Sequence, residues 1–246
     1  MVAIAEILLD LRAEYERLDG ILASLSDAQW ATESGAPGWS VLDVVTHLTV
    51  SEEGVSVSMA SQDAAGWTEW DGALDDAMAA MVRQNSADPA TTLARWRSAT
   101  SASLADLANG DPSTPIAWAA APLRPATLAT TRLAEHWAHG LDITEPLGLE
   151  FPDTDRLRHI AWLGHATIPY GCSLRNIEPE PIRATLTSPS GETWSFGPND
   201  APSTIVGSAA DFCRIGAQRL KPEQSDLELS GPFAKTAAAV LRNYAA

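Results

Sequence analysis

Cationic side chains are scarce in this chain. Its 246 residues hold 16 Lys and Arg against 32 Asp and Glu, a net charge of −16. Binding a phosphate backbone needs a basic face, so nucleic acid is excluded as a partner. Cysteine is scarcer still. Cys172 and Cys213 form no CxxC pair and read as two unrelated free thiols of a cytoplasmic protein. No apolar run approaches the ~18 residues of a membrane span, so no membrane association is expected. The start of the chain has no basic region; its first cation is Arg12, and the segment already carries helical periodicity. It does not read as a secretory signal. Phosphate loops, dinucleotide glycine patterns and the GxSxG elbow are also missing, which removes the commonest nucleotide-binding and serine-hydrolase readings.

What remains is a globular composition, 45% apolar and 20% charged. The acidic surplus is concentrated early: residues 1–111 carry 18 carboxylates and 5 cations, the remainder 14 and 11. A solvated acidic surface accounts for it. Only Lys221 and Lys235 are lysines, a bias usual in GC-rich, actinobacterial-type proteomes.

Ile4, Ile7, Leu8, Leu11, Tyr15, Leu18, Ile21, Leu22 and Leu25 recur at three-and-four spacing, predicting a helix from about Val2 to Leu25. Ser40 with Asp43 marks the start of a second helix at Val41, which carries His47 and runs past Met59. Further helices are expected over about 71–84, 89–108 and 126–145. The stretch around Trp67 and Trp70 fits no pattern. Pro and Gly cluster in Pro146–Pro152, where the helical period stops. Beyond it, a helix over 154–170, a hairpin around Ser188–Glu192, short strands at Thr204 and Leu227, and helices after Ser208 and Gly231 predict a small α+β unit. The expected class is therefore α+β, a helical bundle over residues 1–148 followed by an α+β domain over 153–246.

The chemistry-bearing residues are His47, Glu135 and His139. Glu135 and His139 stand four apart, one turn along a single helix face. Two imidazoles and a carboxylate make a divalent-cation site with open positions if the helix of His47 packs beside theirs. Otherwise that polar face simply meets water. His136 lies about 60° off the cluster at 100° per residue and is set aside. Glu52 falls near the apolar face of its helix, where a carboxylate is costly unless paired or functional; it is the candidate catalytic base or supporting group. Asp43 suits either a helix cap or a hydrogen-bond partner for His47. His159 and His165 receive no role.

Gly38-Trp39-Ser40-Val41-Leu42-Asp43-Val44-Val45-Thr46-His47-Leu48 resembles the GW-x-V-x-D-V-x-x-H-L signature of the DinB-like, mycothiol-dependent maleylpyruvate isomerase superfamily. Glu135-His136-Trp137-Ala138-His139-Gly140-Leu141-Asp142 is similar to its second signature, E-x-x-x-H-x-x-D. Ile205 to Phe212 and Leu227 to Gly231 resemble the sterol-carrier-like C-terminal domain that often follows. The resemblance implies a four-helix bundle, a divalent metal (commonly zinc) on His47, Glu135 and His139, and a small thiol such as mycothiol as co-substrate. The reaction implied is thiol-dependent isomerisation or S-transfer on a small molecule, with Arg124 or Arg132 available for a substrate carboxylate. Two other readings stay open: a hydrolase using metal-bound water, and a non-enzymatic metal- or thiol-binding protein.

Overall fold

The computed structural model describes residues 4–61, 74–119 and 121–244. Trp67 and Trp70 lie outside them. The class is α+β, as the patterning predicts. The chain divides into two compact units, one running through Phe151 and the other spanning Pro152–Tyr244.

The first unit is helical: α1 (Ile4–Leu22), α2 (Asp27–Trp30), α3 (Val41–Ser61), α4 (Leu74–Gln84), α5 (Pro89–Asn109) and α6 (Pro125–Leu147). Its four long helices pack in the cyclic order α1, α6, α3, α5. α1 buries Ile7, Leu11, Tyr15, Leu18 and Leu22, the stripe its period predicts. It ends earlier than expected. Ser26 caps α2 instead, its hydroxyl accepting the Gln29 N–H while the Gln29 side chain accepts the Ser26 N–H. α5 starts on Asp88, whose carboxylate accepts the Thr91 N–H, with Pro89 in the first turn. Two ion pairs cross the outer seams: Arg95 with Glu53 joins α5 to α3, and Arg97 with Asp19 joins α5 to α1.

The second unit holds α7 (Leu157–Ala166), α8 (Ile168–Ser173), β1 (Ile182–Thr187), β2 (Thr193–Phe196), β3 (Ser203–Ser208), α9 (Ala209–Gly216), β4 (Glu228–Ser230) and α10 (Ala234–Val240). The single helix expected over 154–170 is two, because Pro169 has no N–H to continue the ladder. The strand order is β2-β1-β3-β4; β1 pairs antiparallel with β2 and parallel with β3, and β4 closes the edge antiparallel to β3. Ile182, Ala184, Leu186, Trp194 and Ile205 share one buried face by register, and α9 and α10 pack on the sheet. Both cysteines are free and buried.

Candidate metal centre

Three donor atoms converge between α3 and α6. His47 Nε2 lies 3.3 Å from Glu135 Oε2, and His139 Nε2 lies 3.5 Å from the same oxygen. The three ligand atoms of His47, Glu135 and His139 all fall within 4.8 Å of one another. Nitrogen and oxygen donors bound tetrahedrally at about 2.0–2.1 Å stand about 3.3 Å apart, so the two His–Glu spacings already match that edge. The set is reached from one side: side-chain exposure is 10% for His47, 12% for His139 and 21% for Glu135. Two imidazoles and a carboxylate are a donor set that suits a borderline divalent cation. Among the described residues this is the one such group of His, Cys, Asp or Glu side chains.

Local sequence explains each placement. The reciprocal cap of Ser40 and Asp43 starts α3 firmly. The Asp43 carboxylate accepts Ser40 N–H and Oγ–H, at 2.9 and 2.7 Å, while the Ser40 hydroxyl accepts the Asp43 N–H. Asp43 is thus a helix cap, and His47 Nδ1 is buried with no hydrogen-bond partner. Before α3, Ala36-Pro37-Gly38-Trp39 forms a tight turn, with Trp39 N–H donating to Ala36 O at 3.1 Å. Pro at its second position and Gly38 at φ 78° are the residues a type II turn demands. That turn sets the Trp39 ring 5.2 Å from the His47 ring and 6.4 Å from the His139 ring, walling the cluster.

The residue that orients His139 is Asp142, one turn further along α6. Its Oδ2 lies 2.8 Å from His139 Nδ1. Only a protonated Nδ1 can donate there, so the neutral ring carries its lone pair on Nε2, the atom a cation would meet. In the sequence Asp142 stands as the last residue of the second signature; its i,i+3 spacing from His139 is the signal that the two share a face. Asp142 is itself held by its backbone. Pro146, inside α6, has no N–H to give the Asp142 carbonyl, and that carbonyl accepts the Gly35 N–H at 2.8 Å. A Cβ on Gly35 would stand 3.0 Å from Asp142 Cα and Oδ1, so the loop approaches closely because it carries no side chain there.

Burial lowers the His47 pKa to about 4, keeping its ring neutral. Burial alone would raise Glu135, but hydrogen bonding from His139 and His47 outweighs it and holds the carboxyl well below its usual range. Burial would likewise lower His139; the hydrogen bonds to Asp142 and Glu135 raise it instead.

Glu52 and His136 lie behind the cluster. Glu52 is fully buried and Oε1 accepts the Arg132 Nε–H at 2.7 Å. Burial pushes the Glu52 pKa up, and Arg132 outweighs it, so the carboxylate persists. Arg132, one of the two arginines considered for a substrate carboxylate, is 3% exposed and held by Glu52, whereas Arg124 is exposed at the start of α6. The His136 ring turns away from Glu135 and His139: its Nε2 accepts the Trp96 indole N–H at 3.2 Å, and its Nδ1–H donates to the Arg132 carbonyl at 2.9 Å. Burial holds its pKa at about 4. His159 and His165 belong to the second unit, where His165 Nε2 bonds the Ile182 carbonyl.

Fold and cluster together define a class: a helical bundle with two histidines and one glutamate converging between two of its helices, followed by a small α+β unit. Residues 11–144 match the family model described as the mycothiol maleylpyruvate isomerase N-terminal domain, and the chain belongs to that family. Two relatives from Mycobacterium tuberculosis, both described as uncharacterized, are 37% identical over 236 residues, spanning 92% of this chain and 90% of theirs. The crystal structure of the mycothiol-dependent maleylpyruvate isomerase is similar with a TM-score of 0.63 at 16% identity, covering 93% of both chains. A histidine-to-alanine mutant of that enzyme gives 0.62 at 15%. At such identities the likeness is one of fold. No helix among the described residues is long and apolar enough to cross a membrane.

Proposed function

We propose that this chain binds one divalent cation, zinc in the first instance, through His47 Nε2, Glu135 Oε2 and His139 Nε2, and uses it in thiol-dependent chemistry on a small molecule. The observation that carries the reading is the convergence of three donor atoms from two helices, 88 residues apart in the chain, onto one point. A cation there would favour thiolate over thiol in a co-substrate such as mycothiol. The chain's own residues do the rest. Asp142 holds a proton on His139 Nδ1 and Glu135 stays ionised, so a cation that displaces the protons shared between the imidazoles and Glu135 would find His47 Nε2, Glu135 Oε2 and His139 Nε2 as its donors. The Trp39 ring closes one side and limits water. The thiolate would add reversibly to an activated double bond. Rotation and elimination then give isomerisation; retention of the adduct gives S-transfer. Glu52 has no place in proton transfer on this reading, because its Oε1 is held by Arg132 inside the core.

Elemental analysis of purified protein tests the site. About one divalent metal per chain is expected in the wild type and in His159→Ala, and little in His47→Ala, Glu135→Ala or His139→Ala. Equal metal in all of them would remove the assignment. A change in the visible spectrum of the cobalt form on adding mycothiol is the second expectation. A spectrum that no small thiol moves would point to the hydrolytic or non-enzymatic reading.

A further inference from the structure

We infer that the buried Glu52–Arg132 pair is a positioning device for the metal centre, fixing the register of α3 against α6 and so the distance from His47 to Glu135 and His139. The inference rests on the metal reading above.

The pair crosses the same seam as the ligands. His47 on α3 meets Glu135 on α6, and five residues on, Glu52 meets Arg132, three residues earlier on α6. Numbers rise on one helix as they fall on the other, so the helices run antiparallel at this seam. At 1.5 Å per residue the lock stands about 8 Å from His47 along α3, and about 5 and 11 Å from Glu135 and His139 along α6. The neighbours that α3 buries here, Val44, Val45 and Leu48, supply contact without direction. A buried ion pair made through one guanidinium N–H at 2.7 Å is directional. The distinction matters because a shift of one residue moves a helix side chain by 1.5 Å and 100°. A metal site tolerates a few tenths of an ångström.

Stability does not explain the pair. The pair is joined by one hydrogen bond, Arg132 Nε–H to Glu52 Oε1, and Arg132 Nη2 is buried without a hydrogen-bond partner. Orphaned polar atoms of that kind cost free energy, and buried ion pairs are often replaced by apolar residues without loss. A pair so expensive, next to a centre built from the same two helices, fits a role in setting geometry. It is also braced from outside the seam. The Glu52 Oε1 lies 3.7 Å from His136 Nδ1, whose ring accepts the Trp96 N–H from α5 and meets the Tyr15 ring of α1 at 4.5 Å. All four long helices therefore meet at the pair or at the His136 ring beside it. Glu52 and Arg132 have side-chain exposures of 0% and 4%, so they act through the ligands and not on a substrate.

The test is the full-length double variant Glu52→Leu/Arg132→Met, with melting temperature measured without metal and cobalt binding followed by titration and visible absorption. An unchanged or raised melting temperature is expected, together with about tenfold or greater loss of cobalt affinity and altered absorption bands. Arg132→Lys, which keeps the charge and loses the planar fork, is expected to shift cobalt affinity and spectrum in the same direction. It decides by the same criterion if the double variant does not fold. Cobalt affinity within about twofold of wild type and an unchanged spectrum overturn the inference. So does loss of fold in both variants, which would assign the pair to stability. Cobalt uptake that survives unchanged in His47→Ala overturns the metal reading itself and takes this inference with it.

Discussion

Asp142 and Asp43 show how two carboxylates with similar sequence credentials divide. Each stands on the same helix as a histidine of the cluster, one three residues after it and the other four before. Only Asp142 meets a ring nitrogen, at 2.8 Å; Asp43 is spent on Ser40. Without an acceptor at Nδ1, His139 can place its proton on either nitrogen, and the tautomer that binds a cation loses its preference. Asp142→Ala is therefore expected to weaken cobalt affinity by about 10–100-fold, read by titration of the folded variant. Asp43→Ala is expected to lower stability by about 1 kcal/mol, the usual value of a helix cap, and to leave cobalt affinity unchanged. A metal defect in Asp43→Ala equal to that in Asp142→Ala would mean that cap and ligand support are not separable in this way.

Among the elements, α1 was legible because a stripe at period 3.6 is written into it, and α3 because Ser40 and Asp43 mark its start although it buries every residue from Val44 to Glu52. Ile7, Leu11, Tyr15 and Leu18 of α1 are all buried as the pattern says. The short elements were not. α2 hid behind Leu25, which prolongs the stripe of α1, although Ser26 and Gln29 spelled its cap. The candidate donors could be listed from spacing, and periodicity set His136 aside from them. What periodicity does not carry is which helix packs on which, so the approach of His47 to Glu135 came only from a family resemblance. Nor did any local signal pair Glu52 with Arg132, 80 residues away. The loop before α3 is an intermediate case, since its Pro-Gly pair announces a turn but not the Trp39 wall that the turn delivers. Gly38 sits at φ 78° with no atom near a future Cβ, so a side chain there meets backbone strain and no clash. Gly38→Val is expected to cost about 1–3 kcal/mol in chemical denaturation and to shift the tryptophan emission of the native state. Unchanged stability would show that the loop can adopt another turn.

At the scale of the whole molecule, the charge excess gains a use that no single acidic residue has. With −16 overall, and 22 carboxylates against 7 cations in residues 1–151, the unit that carries the cluster sits in a negative field. Such a field adds little to any one contact but changes the local concentration of ions, and it acts over about 10 Å at 0.1 M salt. Divalent cations should accordingly be drawn in faster at low ionic strength. Stopped-flow mixing of metal-free protein with cobalt is expected to show an association rate that falls several-fold as sodium chloride rises from about 10 to 300 mM. Removal by an anionic chelator should respond in the opposite sense and speed up with salt, because the same field repels the chelator. The two opposite slopes separate long-range steering from a general effect of salt on the fold, which would move both rates the same way. A cobalt association rate independent of salt would reduce the acidic surplus to a solvated surface with no part in loading the site.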